Sequence, residues 1–135
     1  MKSGAGDLHP GLTGTAELVV TEQYTALHMG SGRMPVLATP AMIALIEAAA
    51  QNAVDRLLPQ GYQTVGTYLD VRHDGATPVG MRVIATAELI AIDGRNLSFK
   101  FVVIDDKEKV GEGMHQRTMS SIASFNRLLQ QKMKR

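Results

Sequence analysis

The sequence predicts an α+β fold in which an antiparallel sheet of about five strands wraps around one long central helix. A single long helical segment, residues 39–58, is rich in alanine and aliphatic residues and is apolar on much of its circumference. One strand-like segment precedes it and several follow it, joined by short turns. Such a helix must be covered on more than one side, and a curved meander of strands provides that cover. The whole chain, 1–135, is expected to be one domain.

The central helix has clear start and stop signals. Thr39 and Pro40 place a capping hydroxyl before a proline at the first helical position. Pro59 and Gly61 are expected to end the helix near residue 58. The preceding segment HMGSGRMP, residues 28–35, contains three helix-breaking residues and is expected to be a loop.

Short runs of apolar and β-branched residues predict the strands. In the run 64–73, Val71 and His73 share the face that is expected to point at the helix, and Gly66 lies on the opposite face. Asp93-Gly94 is a strong two-residue hairpin signal. The predicted segments are a loose lead-in 1–12, strands 13–21, 64–73, 81–92, 95–104 and 109–125, and a short C-terminal helix or tail 124–135.

Composition argues against several functional classes. The absence of cysteine excludes disulfides, thiolate metal sites and cysteine nucleophiles. The formal net charge of +1 provides no electrostatic argument for a nucleic-acid partner. No apolar stretch approaches the roughly 20 residues that span a bilayer, and the N-terminal residues lack the apolar core of a signal peptide. We therefore expect a cytosolic protein without nucleic-acid or membrane partners.

Glu47 is the one ionisable residue between Pro40 and Ala50. Burying an isolated carboxylate is costly, so this group must be solvated, paired or used in chemistry. Helical geometry places it at the rim of the apolar face, with Gln51 and Asp55 continuing its row. The helix alone leaves two interpretations open, a solvated polar stripe and a functional carboxylate.

Thr39 and His73 are the groups best placed to act with Glu47. His73 ends a strand on its core-facing side, where it is either a hydrogen-bonded structural residue or an acid–base group. Thr39 is either a helix cap or a functional hydroxyl. The first free backbone N–H groups of the helix, near Ala41 and Met42, are suited to stabilise an oxyanion formed from an attacked carbonyl.

His115 and Arg117 lie two residues apart in the run GEGMHQR, on one face of a predicted strand. They are interpreted either as solvated or sheet-edge side chains or as ligand contacts. The sequence contains no HExxH, Walker, GxGxxG or GxSxG motif, which leaves serine-hydrolase and nucleotide-cofactor functions without support.

Four segments together closely resemble the fluoroacetyl-CoA thioesterase-like branch of the hotdog-fold thioesterases. They are VLATPAMIALIEAAAQNAV (36–54), VGTYLDVRHDGATPVGMRVIATAEL (65–89), DGR (93–95) and GEGMHQR (111–117). The resemblance extends over about residues 12–127 and implies the hotdog fold, with a catalytic set that maps onto Thr39, Glu47 and His73. It also implies a coenzyme A thioester substrate, no metal or separate cofactor, and a homodimer or higher oligomer whose sheets join edge to edge near the acyl-CoA sites.

One segment departs from that family. Residues 28–35 lack the phenylalanines that close over the acyl group in the fluoroacetyl-specific enzyme. The resemblance therefore implies acyl-CoA hydrolysis without selectivity for the fluoroacetyl group.

The leading hypothesis is an acyl-CoA thioesterase in which one helix–sheet cleft gathers Thr39, Glu47 and His73. Glu47 acts either as a general base or as a nucleophile in this hypothesis, and the sequence does not separate the two. The expected substrate-binding residues are Ala41, Met42, His115 and Arg117. Two alternatives stay open, a non-catalytic acyl-CoA-binding or sensing module and a hydratase or dehydratase on the same fold.

Overall fold

A computed structural model describes residues 8–134 as five strands and one long helix, with shorter helices before and after them. The strands are β1 (Thr13–Val19), β2 (Tyr62–His73), β3 (Arg82–Asp93), β4 (Asn96–Asp105) and β5 (Lys109–Ser121). The helices are α1 (Ala26–Met29), α2 (Thr39–Val54) and α3 (Ile122–Met133), with 3-10 turns at Glu22–Tyr24 and Asp55–Leu57. Across residues 8–134, no helix combines the length and apolar character that crossing a membrane requires.

The strands form one antiparallel sheet in the order β1-β3-β4-β5-β2, which packs around α2. The core lies between the sheet and the helix and is rich in small residues, because eight of the sixteen residues of α2 are buried and four of these are alanine. Gly14 of β1 faces the α2 backbone so closely that a methyl group there would overlap Ala49 and Ala53. This close packing confirms the predicted sheet wrapped around a central helix.

The start of α2 differs from the prediction in a way that affects the site. Ala38 is the N-cap, and Thr39 is the first helical residue. The α-helix ends at Val54 and continues as the 3-10 turn Asp55–Leu57, so residues 39–58 are not one continuous α-helix. The prediction that Thr39 caps the helix is therefore wrong, and its hydroxyl is available for another partner.

A bulge in β2 changes which residues face the helix. The register with β5 shifts between Gly66 and Tyr68, because Thr67 is an extra residue on the β2 side. Gly66 therefore points toward α2 before the bulge, and Val71 and His73 do so after it. The predicted face was correct for Val71 and His73 and wrong for Gly66, since strict alternation cannot anticipate a bulge.

Smaller differences concern the loops and ends. The connection between β3 and β4 is Gly94-Arg95, one residue later than the predicted Asp93-Gly94, with Gly94 at a φ of 62°. The predicted loop 28–35 begins inside α1. In the predicted loose lead-in, residues 11 and 12 are hydrogen-bonded to Leu89 of β3, whereas residues 1–7 lie outside the described part of the chain. The last strand ends at Ser121, whose side chain caps α3.

Candidate active site

The first residue of α2 contacts the last residue of β2. The Oγ1 atom of Thr39 lies 2.7 Å from Nδ1 of His73, so the two side chains share a hydrogen bond. Both groups line a cleft of about 330 Å³ at the open end of the sheet. The other residues of this cleft come from the segment before α2 and the turn after β2: Ala26, Ser31, Gly32, Arg33, Met34, Val36, Leu37, Asp74, Gly75 and Ala76.

The environment of His73 favours its neutral form. Partial burial lowers the pKa of the imidazole, which outweighs the opposing effects of the Asp74 charge and a hydrogen bond with the backbone of Gly75. A neutral imidazole has one nitrogen that can accept a proton. The pair is therefore suited to general base chemistry at near-neutral pH, with Thr39 orienting the ring.

The N-terminus of α2 offers fewer free donors than the sequence predicts. The N–H of Met42 donates to the carbonyl of Ala38 and makes the first intrahelical bond, so the expectation of a free donor at Met42 is wrong. The N–H of Ala41 lies ahead of that bond, where helix donors have no intrahelical acceptor. Ala41 is thus the remaining candidate for stabilising an oxyanion.

Glu47 lies in a second cluster, where its half-buried side chain reaches from α2 to Arg117 of β5. Its Oε2 is 3.2 Å from Nη1 of Arg117, and the Glu47 side chain is 35% exposed whereas that of Arg117 is 4% exposed. The Nε and Nη2 atoms of Arg117 donate to the Oγ1 and the carbonyl of Thr64, at 2.7 and 3.0 Å. The carboxylate is therefore paired and half-buried, which excludes a purely solvated stripe along this row of the helix.

Gly66 makes room for that carboxylate. A Cβ atom at this position would overlap Oε2 of Glu47 and would also lie close to His115 and Arg117. A glycine inside a strand indicates either a bulge or the close approach of another group to the backbone. Gly66 lies beside a bulge and also in close contact with the Glu47 carboxylate. Gly66 in the middle of an otherwise strand-like run is therefore the signal in the sequence that could have located this site.

His115 and Arg117 are interior residues of the sheet, because β5 lies between β4 and β2. His115 is fully buried, so the interpretation of solvated or sheet-edge side chains is wrong, and His115 has no surface through which to contact a substrate directly. Burial is the main cause that lowers the pKa of both side chains, and the nearby carboxylate of Glu47 raises it in both. Arg117 is the member of this pair that reaches Glu47.

The two clusters are separate within one chain. Thr39 and Glu47 are eight residues apart on α2, which corresponds to about 12 Å along a helix axis. On β2, Glu47 lies beside Gly66 and Thr39 contacts His73, seven residues further along. The expectation that one cleft of a single chain gathers Thr39, Glu47 and His73 is therefore wrong.

Comparisons with known proteins are consistent with this arrangement of helix and sheet. Residues 20–122 match the model of a family described as fluoroacetyl-CoA-specific thioesterase. A fluoroacetyl-CoA thioesterase of Streptantibioticus cattleyicolor is 37% identical over 97 residues, which is 72% of this chain and 70% of that protein.

Solved structures of thioesterases are also similar to this chain over most of its length. A crystal structure of a variant of the fluoroacetyl-CoA-specific thioesterase FlK has a TM-score of 0.87 and 32% identity, and covers 93% of this chain and 98% of its own. A FlK variant in complex with acetyl-CoA has a TM-score of 0.87 and 31% identity, with 94% and 100% coverage. A thioesterase superfamily member from Thermus thermophilus, with a TM-score of 0.85, 24% identity and 91% coverage of both chains, shows the fold alone.

Proposed function

Because the chain belongs to the fluoroacetyl-CoA-specific thioesterase family, we propose that it hydrolyses the thioester bond of an acyl-coenzyme A. The observation that carries this proposal is the hydrogen bond between Thr39 and His73 at an open cleft. Since Ala38 occupies the capping position, the Thr39 hydroxyl has no structural task at the helix start that would explain this contact.

The proposed reaction adds water to the thioester carbonyl. A base removes a proton from the water, the C–S bond breaks, and the coenzyme A thiolate takes up a proton, giving a free acid and coenzyme A. His73 in its neutral form is one candidate base, held by Thr39. Glu47 is the other, or it attacks the carbonyl itself to form an anhydride that water then hydrolyses. The N–H of Ala41 is proposed to stabilise the oxyanion.

We propose that two protomers form each site. The separation of Glu47 from Thr39 and His73 within a chain supports this, because a second chain can bring the two clusters together. The outer edge of the 12-residue strand β2 is paired with no strand among residues 8–134. An unpaired edge of this length is a template for strand addition. A homodimer joined through β2 would place Glu47 of one protomer near Thr39 and His73 of the other.

The acyl group is proposed to occupy an apolar cleft beside the start of α2. This cleft has a volume of about 430 Å³, and alanines at positions 41, 44 and 48 form much of its helix side. Leu18, Gln23, Tyr24, Met29, Pro40 and Leu45 complete it. The absence of phenylalanine from residues 28–35 supports a substrate other than the small fluoroacetyl group.

A thiol-release assay over short, branched, aromatic and long acyl-CoAs tests the proposed function. We expect release of coenzyme A from at least one class, with turnover lost in Glu47→Gln. Saturable binding without thiol release would instead indicate an acyl-CoA-binding module. Conversion of an enoyl-CoA without thiol release would indicate a hydratase or dehydratase. The cytosolic location and the absence of a metal or cofactor stay predictions.

A further inference from the structure

His115 is buried completely, yet both of its ring nitrogens have a polar partner. Its Nδ1 lies 2.9 Å from the carbonyl oxygen of Tyr68, and its Nε2 lies 3.1 Å from Nη1 of Arg117. A carbonyl oxygen only accepts hydrogen bonds, so Nδ1 must carry a proton. A guanidinium nitrogen only donates, so Nε2 must be unprotonated. These two contacts permit one state, the neutral ring with its proton on Nδ1.

This state of His115 determines how Arg117 is aimed. The Nη1 atom of Arg117 carries two N–H groups, and its two partners are Nε2 of His115 and Oε2 of Glu47. Thr64 holds the Nε and Nη2 atoms of the same guanidinium. With one N–H of Nη1 directed at His115, the second is directed at the carboxylate of Glu47.

The surroundings hold the His115 ring in this orientation. The ring of Phe99 on β4 stacks against it, with centroids 6.1 Å apart and an interplanar angle of 29°. The Tyr68 carbonyl, just past the bulge of β2, fixes the opposite nitrogen. Rotation of the imidazole would break both hydrogen bonds in a site that water does not reach.

We propose that His115 is a positioning residue whose single neutral tautomer aims Arg117 at Glu47 and so fixes the reactive orientation of that carboxylate. This inference rests on the proposed function, in which Glu47 takes part in thioester hydrolysis. His115 touches no substrate and acts through Arg117 alone. Its role differs from that of His73, which lies in the other cluster and faces an open cleft.

Acid pH is expected to break this arrangement. A second proton on His115 would place an N–H group against an N–H group of Arg117, with two positive charges in contact. The charged groups that face the ring are Arg117 on its own strand and Glu47 on α2, and Asp55 after α2 acts on Arg117 from further away. Tyr68 contributes only its carbonyl, and Phe99 contributes no charge.

NMR of the imidazole nitrogens in the intact protein tests the tautomer directly. We expect one histidine with the ¹⁵N shifts and coupling pattern of a neutral ring protonated on Nδ1. This signal should persist into mildly acid solution, because burial lowers the pKa of His115. Assignment uses His115→Gln, in which the signal must disappear. A ring protonated on Nε2, or a doubly protonated ring at neutral pH, would overturn the proposal.

Two matched variants test the positioning role. Gln can present an amide oxygen where Nε2 lies and keep an acceptor for Arg117, whereas Asn can present an amide nitrogen where Nδ1 lies and lose that acceptor. We expect His115→Gln to keep kcat within about threefold of wild type, and His115→Asn to lower kcat by about 10- to 100-fold with KM changed less than about threefold. A folded His115→Asn protein whose kcat equals that of wild type would contradict the proposal.

The outcomes separate this inference from the proposed function. If the wild-type protein releases no coenzyme A, the proposed function fails, and the NMR result still decides whether His115 has the single tautomer. If wild type is active, Glu47→Gln is inactive and both His115 variants are fully active, only the positioning role fails. If His115→Asn does not fold, the pH profile of His115→Gln decides. Gln removes the titrating ring, so the kcat of this variant should begin to fall at a lower pH than the kcat of wild type, and the same profile in both proteins would contradict the proposal.

Discussion

At the scale of single residues, the central feature is the Thr39 hydroxyl, which does not cap the helix. Thr39 follows the N-cap and contacts His73 at 2.7 Å, so the polar group at the helix start holds an imidazole. The sequence leaves Thr39 open between a helix cap and a functional hydroxyl, and the structure contradicts only the cap. A pattern of Thr followed by Pro does not distinguish a cap from the first helical residue, because the two positions differ only in backbone angle.

The Thr39 hydroxyl gives the first prediction. Thr39→Val keeps the shape of the side chain and removes the hydrogen bond to His73, so we expect turnover to fall by about 10²-fold. Thr39→Ser keeps the hydroxyl and is the matched variant, with turnover expected within about tenfold of wild type. Coenzyme A release under saturating substrate measures both. Equal turnover in Thr39→Val and wild type would show that the hydroxyl has no part in the reaction.

The environment of His73 gives a prediction about pH. Burial lowers the pKa of this imidazole, so the neutral, proton-accepting form persists below the ordinary histidine value of about 6.5. We expect the acid limb of kcat/KM to lie below that value. The Asp74 charge raises the pKa of His73, so Asp74→Asn is expected to move the acid limb to still lower pH. An acid limb that Asp74→Asn moves upward or leaves in place would contradict His73 as the base.

At the scale of elements, strand β2 connects the two clusters. Its bulge at Thr67 turns Gly66 toward Glu47 and still leaves Val71 and His73 on the helix side. Alternation along the sequence predicts the correct face for Val71 and His73 and the wrong face for Gly66. The reason is physical, because an inserted residue shifts the two-residue alternation, and the pattern of apolar residues alone does not show where the insertion falls. Gly66 is the one residue that marks the place.

Gly66 provides the test of this element. Gly66→Ala adds a methyl group that overlaps the carboxylate of Glu47, so the side chain must move away from Arg117. We expect turnover to fall by about 10- to 100-fold, with overpacking lowering the free energy of unfolding by about 1–3 kcal/mol. Gln116→Ala, at an exposed position of the inner strand β5, is the control, and it should change neither the turnover nor the free energy of unfolding. Thiol release and thermal unfolding measure the two effects, and undiminished turnover in Gly66→Ala would contradict the proposed role of Glu47.

At the scale of the whole molecule, the sequence predicted the architecture better than the site. Apolar periodicity and turn residues indicate a sheet around one helix, and the structure confirms this because packing must satisfy the same pattern. For His115 and Arg117 the sequence leaves two interpretations open, solvated or sheet-edge side chains and ligand contacts, since polar residues in a strand are most often exposed. Their burial depends on partners from α2 and β2 that are distant in the sequence, namely Glu47, Thr64 and Tyr68.

The separation of the clusters leads to the central claim, that one catalytic site combines Thr39 and His73 of one protomer with Glu47 of the other. Glu47→Gln and His73→Ala proteins are each expected to fold, dimerise and lose most turnover. Mixing the two variants under conditions that exchange subunits produces heterodimers in which one of the two sites is intact and the other carries both changes.

Coenzyme A release by an equimolar mixture of Glu47→Gln and His73→Ala protomers, measured after subunit exchange, decides whether the two protomers share each site. With random pairing, half of the dimers are heterodimers with one working site in two, so we predict recovery of about one quarter of wild-type activity. Native mass spectrometry confirms that the heterodimers have formed. If they have formed and activity stays at the level of the separate variants, Glu47 does not complete the site of the other protomer, and the central claim is wrong.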